Sequence, residues 1–546
     1  MTPMRHLASL LALSAILSAQ GLVPPPAPIE NPTTPAKVVL GKILFYEEQL
    51  SSDNSTACAS CHMPEVAGGD PRAFTAGNVH PGPDATFGTV DDARGSRGIV
   101  SCSGNGTLVD DGVFFPKEIV TARKAPAFIG NQWDAQQFWD GRADGKVRDP
   151  ITNATVIGTG GSLEAQALLP PIAGEMGCSG RNWPVIVAKI TGARPMRLAS
   201  SLTPDIAAAL AAHPTYPALF NAAFGTSTIT PSLIAFAIAA YERSLVPNQA
   251  PIDAFIAGNT AALTPAQVNG LAIFSASNCA FCHTSPTFTS PGFFNIGVRP
   301  PAEDMGRAGI TGNFADRGKF KTPSLRNAAL RGPYFHNGSA ATLADVIDFY
   351  DRGGDFADNR DSIIVPLNLT NAQKADLHDF LANALLDPRV PARLPPFDRP
   401  VLRSEGSPDP APFGVGSPGS GGFVPQMVAP APAMIGSDHF GFGVFGGIAG
   451  MPAYLLLADA ALPPGVFVGG MPLWVDPNAS LNVLPLSVNG GPTGIPGQGF
   501  TSLFVSIPEM PALSGVSLYA QWVLGDPGVP TGMAVSDGLA ITFSRP

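Results

Sequence analysis

The chain has 546 residues and a net charge of −10, from 32 lysines and arginines against 42 aspartates and glutamates. That length exceeds a single core and calls for two to four domains. An acidic chain without a block of basic residues does not suit nucleic acid, whose phosphates need a basic face. The 60 glycines and 57 prolines call for long stretches of turn and loop.

At the N-terminus Arg5 and His6 precede the apolar run Leu7–Leu17, and Ser18 and Ala19 offer small residues for cleavage. Residues 1–19 are read as a signal peptide, the alternative being a buried first helix. No later run reaches the ~20 apolar residues that cross a bilayer. No membrane span is therefore expected, and the mature chain is expected to be periplasmic or secreted.

From about Ala27 to Arg393 the composition is mixed and helix signals are frequent. Thr230-Pro231 supplies an N-cap and a proline at the first helical position, followed by Leu233, Ile234, Ile238, Tyr241 and Leu245 at helical spacing. Thr264-Pro265 opens a second helix through Val268, Leu271 and Phe274. Thr342 and Asp345 have the spacing of a capping box for a helix reaching Tyr350. Thr370 and Gln373 open a fourth, with Leu377, Phe380 and Leu381 on one face. Few strand patterns occur here. Residues 396–422 are rich in Pro, Gly and Ser and read as a linker. Beyond them, in residues 423–546, the apolar-alternating runs Leu481–Val488, Thr501–Ile507, Val516–Leu524 and Leu539–Phe543 predict a small all-β, sandwich-like domain. No sequence repeat is recognised.

Six cysteines punctuate the helical part. Cys58-Ala-Ser-Cys61-His62 and Cys279-Ala-Phe-Cys282-His283 each place two thiols three apart with an adjacent histidine. Such a pair can bond the two vinyl groups of one haem, with the histidine as proximal iron ligand. A zinc or dithiol redox site is the alternative for Cys-x-x-Cys, but the immediate histidine in both copies and the export signal favour two covalently bound haems c. Cys102 and Cys178 remain, as a candidate disulfide in an exported protein or as two separate buried thiols.

What fills the sixth position of each iron decides between chemistry and electron transfer. Besides the motif residues, His80, His213, His336, His378 and His439 remain beyond the leader. His80, in a Gly/Pro-rich loop soon after the first motif, can be a distal ligand or a surface residue. For the second haem, no methionine lies between Met305 and Met427. Tyr350, on the inward face of its helix with Leu343, Val346 and Ile347, and Met305 are the candidates there.

The words around these motifs resemble the bacterial dihaem cytochrome c peroxidase family, which includes MauG. They are Ala125-Pro126-Ala127-Phe128 with Asn131, Phe138–Ala143, Ser162–Ala167, Glu175-Met176-Gly177, Tyr241–Leu245, Thr322–Asn327, Pro333–Gly338 and Thr342-Leu343. The resemblance spans roughly residues 37 to 390. It implies a mainly α fold of two c-type cytochrome domains in tandem, a peroxidatic one over 27–250 and an electron-transfer one over 251–395, ahead of the β-rich domain.

The resemblance also implies roles. His62 would hold the peroxidatic iron, and His80 would stand where a displaceable loop histidine caps it. Trp139 would bridge the haems. Gln166 and Glu175 would handle peroxide, the carboxylate moving a proton as base and then acid. Tyr350 matches the distal-ligand position of the second haem, where MauG has tyrosine and the classical peroxidases methionine. The implied activity is reduction of hydrogen peroxide to water by a small electron-donor protein of the cytochrome c or cupredoxin type, with a homodimer as assembly. A MauG-like oxidase of a protein or organic substrate and a non-catalytic dihaem electron carrier are the alternatives.

Three departures from the family pattern stand out: an insertion over Asp144–Gly161, a Gln166-to-Glu175 spacing one residue short, and Lys124 where members often have a calcium-serving asparagine. A cationic side chain cannot ligate calcium, which argues against that ion, although the ammonium could partly replace its charge.

Overall fold

A computed structural model describes residues 22–545 apart from 105, 116, 407, 430, 438 and 439. The expected signal peptide, residues 1–19, and His439 lie outside the described residues.

The first helical core forms where Pro35–Phe45 packs along Pro231–Ser244. Thr34 and Thr230 cap these helices by accepting the N–H groups of Lys37 and Leu233, satisfying donors that a helix start leaves open. The axes approach closely because residue 41 is glycine: a Cβ there would lie 1.9 Å from the carbonyl oxygen of Ala237. Ile43, Leu44, Phe45, Ile234, Ile238 and Tyr241 close the core. The second helical core repeats the device. Pro265–Ala276 packs on Asn371–Asp379, and a Cβ at Gly270 would sit 2.2 Å from the oxygen of Asp376. Phe274, Phe288 and Phe380 fill its centre, and Leu343–Asp351 covers it with Leu343 and Ile347. Each helix expected from its cap is present.

Short ladders punctuate the helical part: Val79–His80 with Ala93–Arg94, Arg97–Val100 with Glu118–Val120, Val147–Arg148 with Thr155–Ile157, and Phe293–Phe294 with Phe320–Lys321. Two to four residues is too short for an alternating pattern to register. The inserted segment carries the third ladder. Its Asp149 accepts the Ser232 hydroxyl at the start of Pro231–Ser244, which ties the insertion to the first core.

The C-terminal region is β-rich. A five-stranded antiparallel sheet runs Asn482–Ser487, Pro452–Ala458, Ser517–Gly525, Met533–Thr542, Ala411–Phe413, and a three-stranded one Gln426–Val428, Phe440–Gly447, Gly499–Val505. Phe442 and Val444 of one sheet and Leu455, Trp522 and Ile541 of the other share one core, as in a sandwich. Strands Phe440–Gly447 and Pro452–Ala458 escaped the sequence reading. The first is glycine-rich and reads as turn; the second opens on proline and runs Leu-Leu-Leu without alternation.

Two sequence expectations need correction. The stretch 396–422 is not a free linker: Phe397 and Leu402 are fully buried in the first helical core, and Ala411–Phe413 pairs with Met533–Thr542. Arg403 is buried too, and donates both to Asn54 O of the helical part and to Pro432 O of the β region. Pro/Gly/Ser composition marks irregular backbone, not exposure. The second correction is an internal repeat, which emerges only from the geometry of the site.

Candidate active site

Two cavities lie in the helical part. The first, of about 780 Å³, is lined by Cys58, Cys61, His62, His80, Trp139, Gln166 and Glu175, among others. The fold thus gathers on one cavity seven residues spread over 118 positions of sequence. The second, of about 220 Å³, is lined by Cys279, Cys282, His283 and Tyr350 within an apolar wall that includes Phe274, Leu343, Ile347 and Leu381. Met305 lines neither cavity and is 42% exposed.

Each motif forms one helical turn, Cys58–Cys61 and Cys279–Cys282, with the histidine at its C-terminal end. His62 Nδ1 lies 2.8 Å from Gly68 O, and His283 Nδ1 lies 3.1 Å from Phe288 O. A carbonyl can only accept, so Nδ1 carries the proton in both rings and Nε2 keeps its lone pair, as an iron ligand requires. Burial lowers both imidazole pKa values, that of His283 to about 4, which keeps the rings neutral. The four motif cysteines are in no disulfide, whereas Cys102 and Cys178 bond to each other. Among the described residues no group of three or more His, Cys, Asp or Glu could hold a metal ion. Each cavity is thus lined by two cysteine sulfurs and one imidazole, the donor set that a haem c would use.

Glu175 is half-buried and its pKa is raised, burial outweighing the opposing pull of Arg142. Arg142 stacks 3.7 Å above the Phe138 ring and donates to Asp140. The bridged Cys178 lies three residues beyond Glu175, and on the other side a Cβ at Gly98 would meet Glu175 Cα at 2.5 Å. The strand Arg97–Val100 and the disulfide thus hold this loop from two sides. Beyond them stands the β region. Leu108 N donates to Ser502 Oγ at 3.1 Å, and the Phe115 ring packs on Phe445 and Phe500 at 5.7 and 5.3 Å.

His80 is half-buried, and its Nδ1 accepts the Gly82 N–H at 3.1 Å. An accepting Nδ1 puts the proton of the neutral ring on Nε2. In this conformation the ring offers the cavity a donor, not a lone pair.

Trp139 lines both cavities, as do Lys124, Lys321 and His336. These four belong to the repeat missed in the sequence. Lys124-Ala-Pro126 and Lys321-Thr-Pro323 correspond, as do Gln137–Ala143 and Tyr334–Ala340. In each of the latter the ends bridge, Gln137 with Ala143 and Tyr334 with Ala340. The second position is an aromatic residue with positive φ, Phe138 at 66° and Phe335 at 68°, an uncommon conformation for a bulky side chain. The halves exchange partners: Lys124 N donates to His336 O at 2.8 Å, and Lys321 N to Trp139 O at 2.7 Å. Trp139 and His336 are therefore counterparts, and their rings meet at 6.4 Å. The words share too few identical letters to register in sequence; backbone conformation carries the match.

Sequence reasoning also passed over Glu242. It lines the first cavity, is buried, and has an Oε2 with no hydrogen-bond partner among the described residues. Burial raises its pKa to about 8.

A family profile described as di-haem cytochrome c peroxidase matches residues 35–261. Cytochrome-c peroxidase IdrP1 of Denitromonas iodatirespirans is 30% identical over 431 residues, which cover 71% of this chain and 94% of the relative. Methylamine utilization protein MauG of Methylophilus methylotrophus is 28% identical over 362 residues, covering 65% and 84%. Cytochrome c551 peroxidase of Nitrosomonas europaea is 28% identical over 348 residues, covering 62% and 81%. The class these matches and the paired cavities define is a haem-dependent oxidoreductase. Within it, the chain belongs to the dihaem cytochrome c peroxidase/MauG family. Among the described residues no helix is long and apolar enough to cross a membrane.

Proposed function

We propose that the protein is a dihaem peroxidase that reduces hydrogen peroxide to water with electrons from a small donor protein of the cytochrome c or cupredoxin type. One haem c would be attached through Cys58 and Cys61 and ligated by His62, the other through Cys279 and Cys282 and ligated by His283, in two tandem cytochrome domains. The observation that carries the reading is the convergence of Glu175, Gln166, Trp139 and His62 on one cavity. Bound haem would supply the electron transfer to the O–O bond that side chains cannot perform. The chain's own part is to hold and to move protons. Peroxide loses a proton from one oxygen and gains one on the other; Glu175, with its pKa raised by burial, can take the first and return it. Gln166 can orient peroxide with its amide. His80 must give up its Gly82 hydrogen bond before Nε2 can ligate, so it can cap the iron only by rearranging its loop. Trp139, fixed by Nε1 donating to Lys124 O at 2.8 Å, offers an aromatic path between the cavities.

The test is an optical spectrum of the purified protein during stepwise reduction, with peroxide added at each stage. Peroxide consumption coupled to oxidation of a reduced cytochrome supports the reading; no reaction at any stage refutes it. Tyr350 in the wall of the second cavity favours a second reading, a MauG-like oxidase of a protein or organic substrate. A phenolate favours ferric iron and would hinder easy reduction by a small donor. A long-lived oxidised state after peroxide that vanishes in Tyr350→His would select this reading over the first.

A further inference from the structure

Buried cations near the two cavities are, as a rule, neutralised by carboxylates. Lys321 pairs with Asp134, Arg326 with Asp253, Arg243 with Glu164, and Arg123 with both Asp140 and Asp304. Lys124 and Arg331 are the exception. Both are buried, at 5% and 7% exposure, and both line the second cavity, Lys124 the first as well. Lys124 Nζ donates to the backbone carbonyl of Arg331 at 2.6 Å and feels the repulsion of its guanidinium, whose Nη2 donates to Ser324 O. Neither is in an ion pair among the described residues. The carboxylate that acts on Lys124 from a distance, Asp70, is committed to Arg72. The repeat sharpens the anomaly. Lys321, the counterpart of Lys124, has its carboxylate in Asp134; on the Lys124 side a guanidinium stands instead.

Two adjacent buried cations without a counter-ion are costly, because each loses hydration and each repels the other. Their donors are also far from spent. An ammonium has three and a guanidinium five, and among the described residues each side chain makes one hydrogen bond. A fork of donors with net positive charge in a cavity wall is the arrangement that recognises a carboxylate.

We propose that Lys124 and Arg331 form a carboxylate-binding site between the two cavities, and that its ligand is a propionate of the haem held beside His283. This rests on the reading that the second cavity holds haem. The site completes the cofactor's charge balance: the propionate removes the penalty on the two cations, and they raise the affinity of that haem for an electron. Lys124 thereby becomes a positioning residue. Its carbonyl anchors Trp139, its N–H anchors on His336 O, and its ammonium fixes the edge of the second haem.

The test is a spectroscopic redox titration of the full-length holoprotein and of Lys124→Met, Arg331→Met and the charge-keeping Lys124→Arg, with haem counted independently by pyridine haemochrome. Two haems per chain are expected throughout. In both Met variants the reduction equilibrium constant of the His283 haem should fall about tenfold, equivalent to 59 mV for a one-electron couple, and its propionate bending band in resonance Raman should shift. Lys124→Arg should restore most of the potential. An unchanged potential and band in both Met variants, with both haems present, overturns the proposal. So does a wild-type potential that follows chloride or phosphate concentration, which would mean an exchangeable solution anion on the pair. Absence of haem from the wild-type protein appears in the pigment count first, and overturns the underlying reading together with this one.

Discussion

The two cavities carry the same five-residue motif and share a wall at Trp139, Lys124, Lys321 and His336, but differ in the rest of their lining. The first is more than three times larger and brings titratable and polar groups, Glu175, Gln166, His80 and Arg142, to its wall. The second is walled mainly by leucine, isoleucine and phenylalanine, with Tyr350, Lys124 and Arg331 among them. Both imidazoles are oriented in the same way, by Nδ1–H on a backbone carbonyl. The lesson is that the proximal side is duplicated while the opposite side is specialised. If each motif holds a haem as proposed, the same ligation in unlike surroundings would assign one cofactor type two tasks, since polarity and donors near the metal decide between activation and electron storage. The short repeat that holds Trp139 and His336 between the cavities shows the same split, with one scaffold and two different rings.

The largest expected effect breaks the comparison by emptying one side. Cys279→Ser with Cys282→Ser should leave one haem per chain by pyridine haemochrome and abolish donor-driven peroxide turnover. A variant that keeps two haems would remove the second motif from cofactor attachment. Next, Glu175→Gln should lower peroxide turnover by about 10² to 10⁴, the range of a lost acid–base group, with haem content unchanged. Because burial raises the Glu175 pKa and the base must be ionised, wild-type kcat/KM should climb with pH through that raised value, and the variant should lack this limb. Turnover unaffected by the substitution would take Glu175 out of the mechanism.

A smaller effect tests what holds the first cavity in shape. Cys102→Ser with Cys178→Ser frees the loop beyond Glu175. It should cost about 2–5 kcal/mol in urea unfolding and perturb the spectrum of the His62 haem while sparing the His283 haem. Equal perturbation of both would show the bridge to be a general staple. The last test concerns Glu242. Its pKa rises from 4.5 to about 8 on folding, so the folded chain keeps a proton there that the unfolded chain loses. Stability from this group is complete below pH 4.5 and is lost as pH rises to about 8. Glu242→Gln should therefore raise Tm at pH 8 and leave it unchanged at pH 4. A shift of the same size at both values would show an effect of packing, not of charge.

Residues close in sequence were legible, because their signals are local. Thr-Pro starts and capping boxes marked four helices, and each Cys-x-x-Cys-His motif lies on a cavity wall. Four of the C-terminal strands showed through their alternation. The glycine-rich strand Phe440–Gly447, the packing of residues 396–422 and the repeat around Trp139 and His336 were not legible. Each depends on partners far along the chain or on backbone angles that composition does not encode.

By itself, then, the sequence determined which atoms can bond a haem and which helices carry them, since thiol spacing and helix caps act within a few residues. Only the tertiary structure decided which side chains share a cavity, that Lys124 and Arg331 stand together without a carboxylate, and that the β region braces the loop of Glu175. Burial, charge pairing and tautomer are set by neighbours brought together across hundreds of positions, and no local pattern records them.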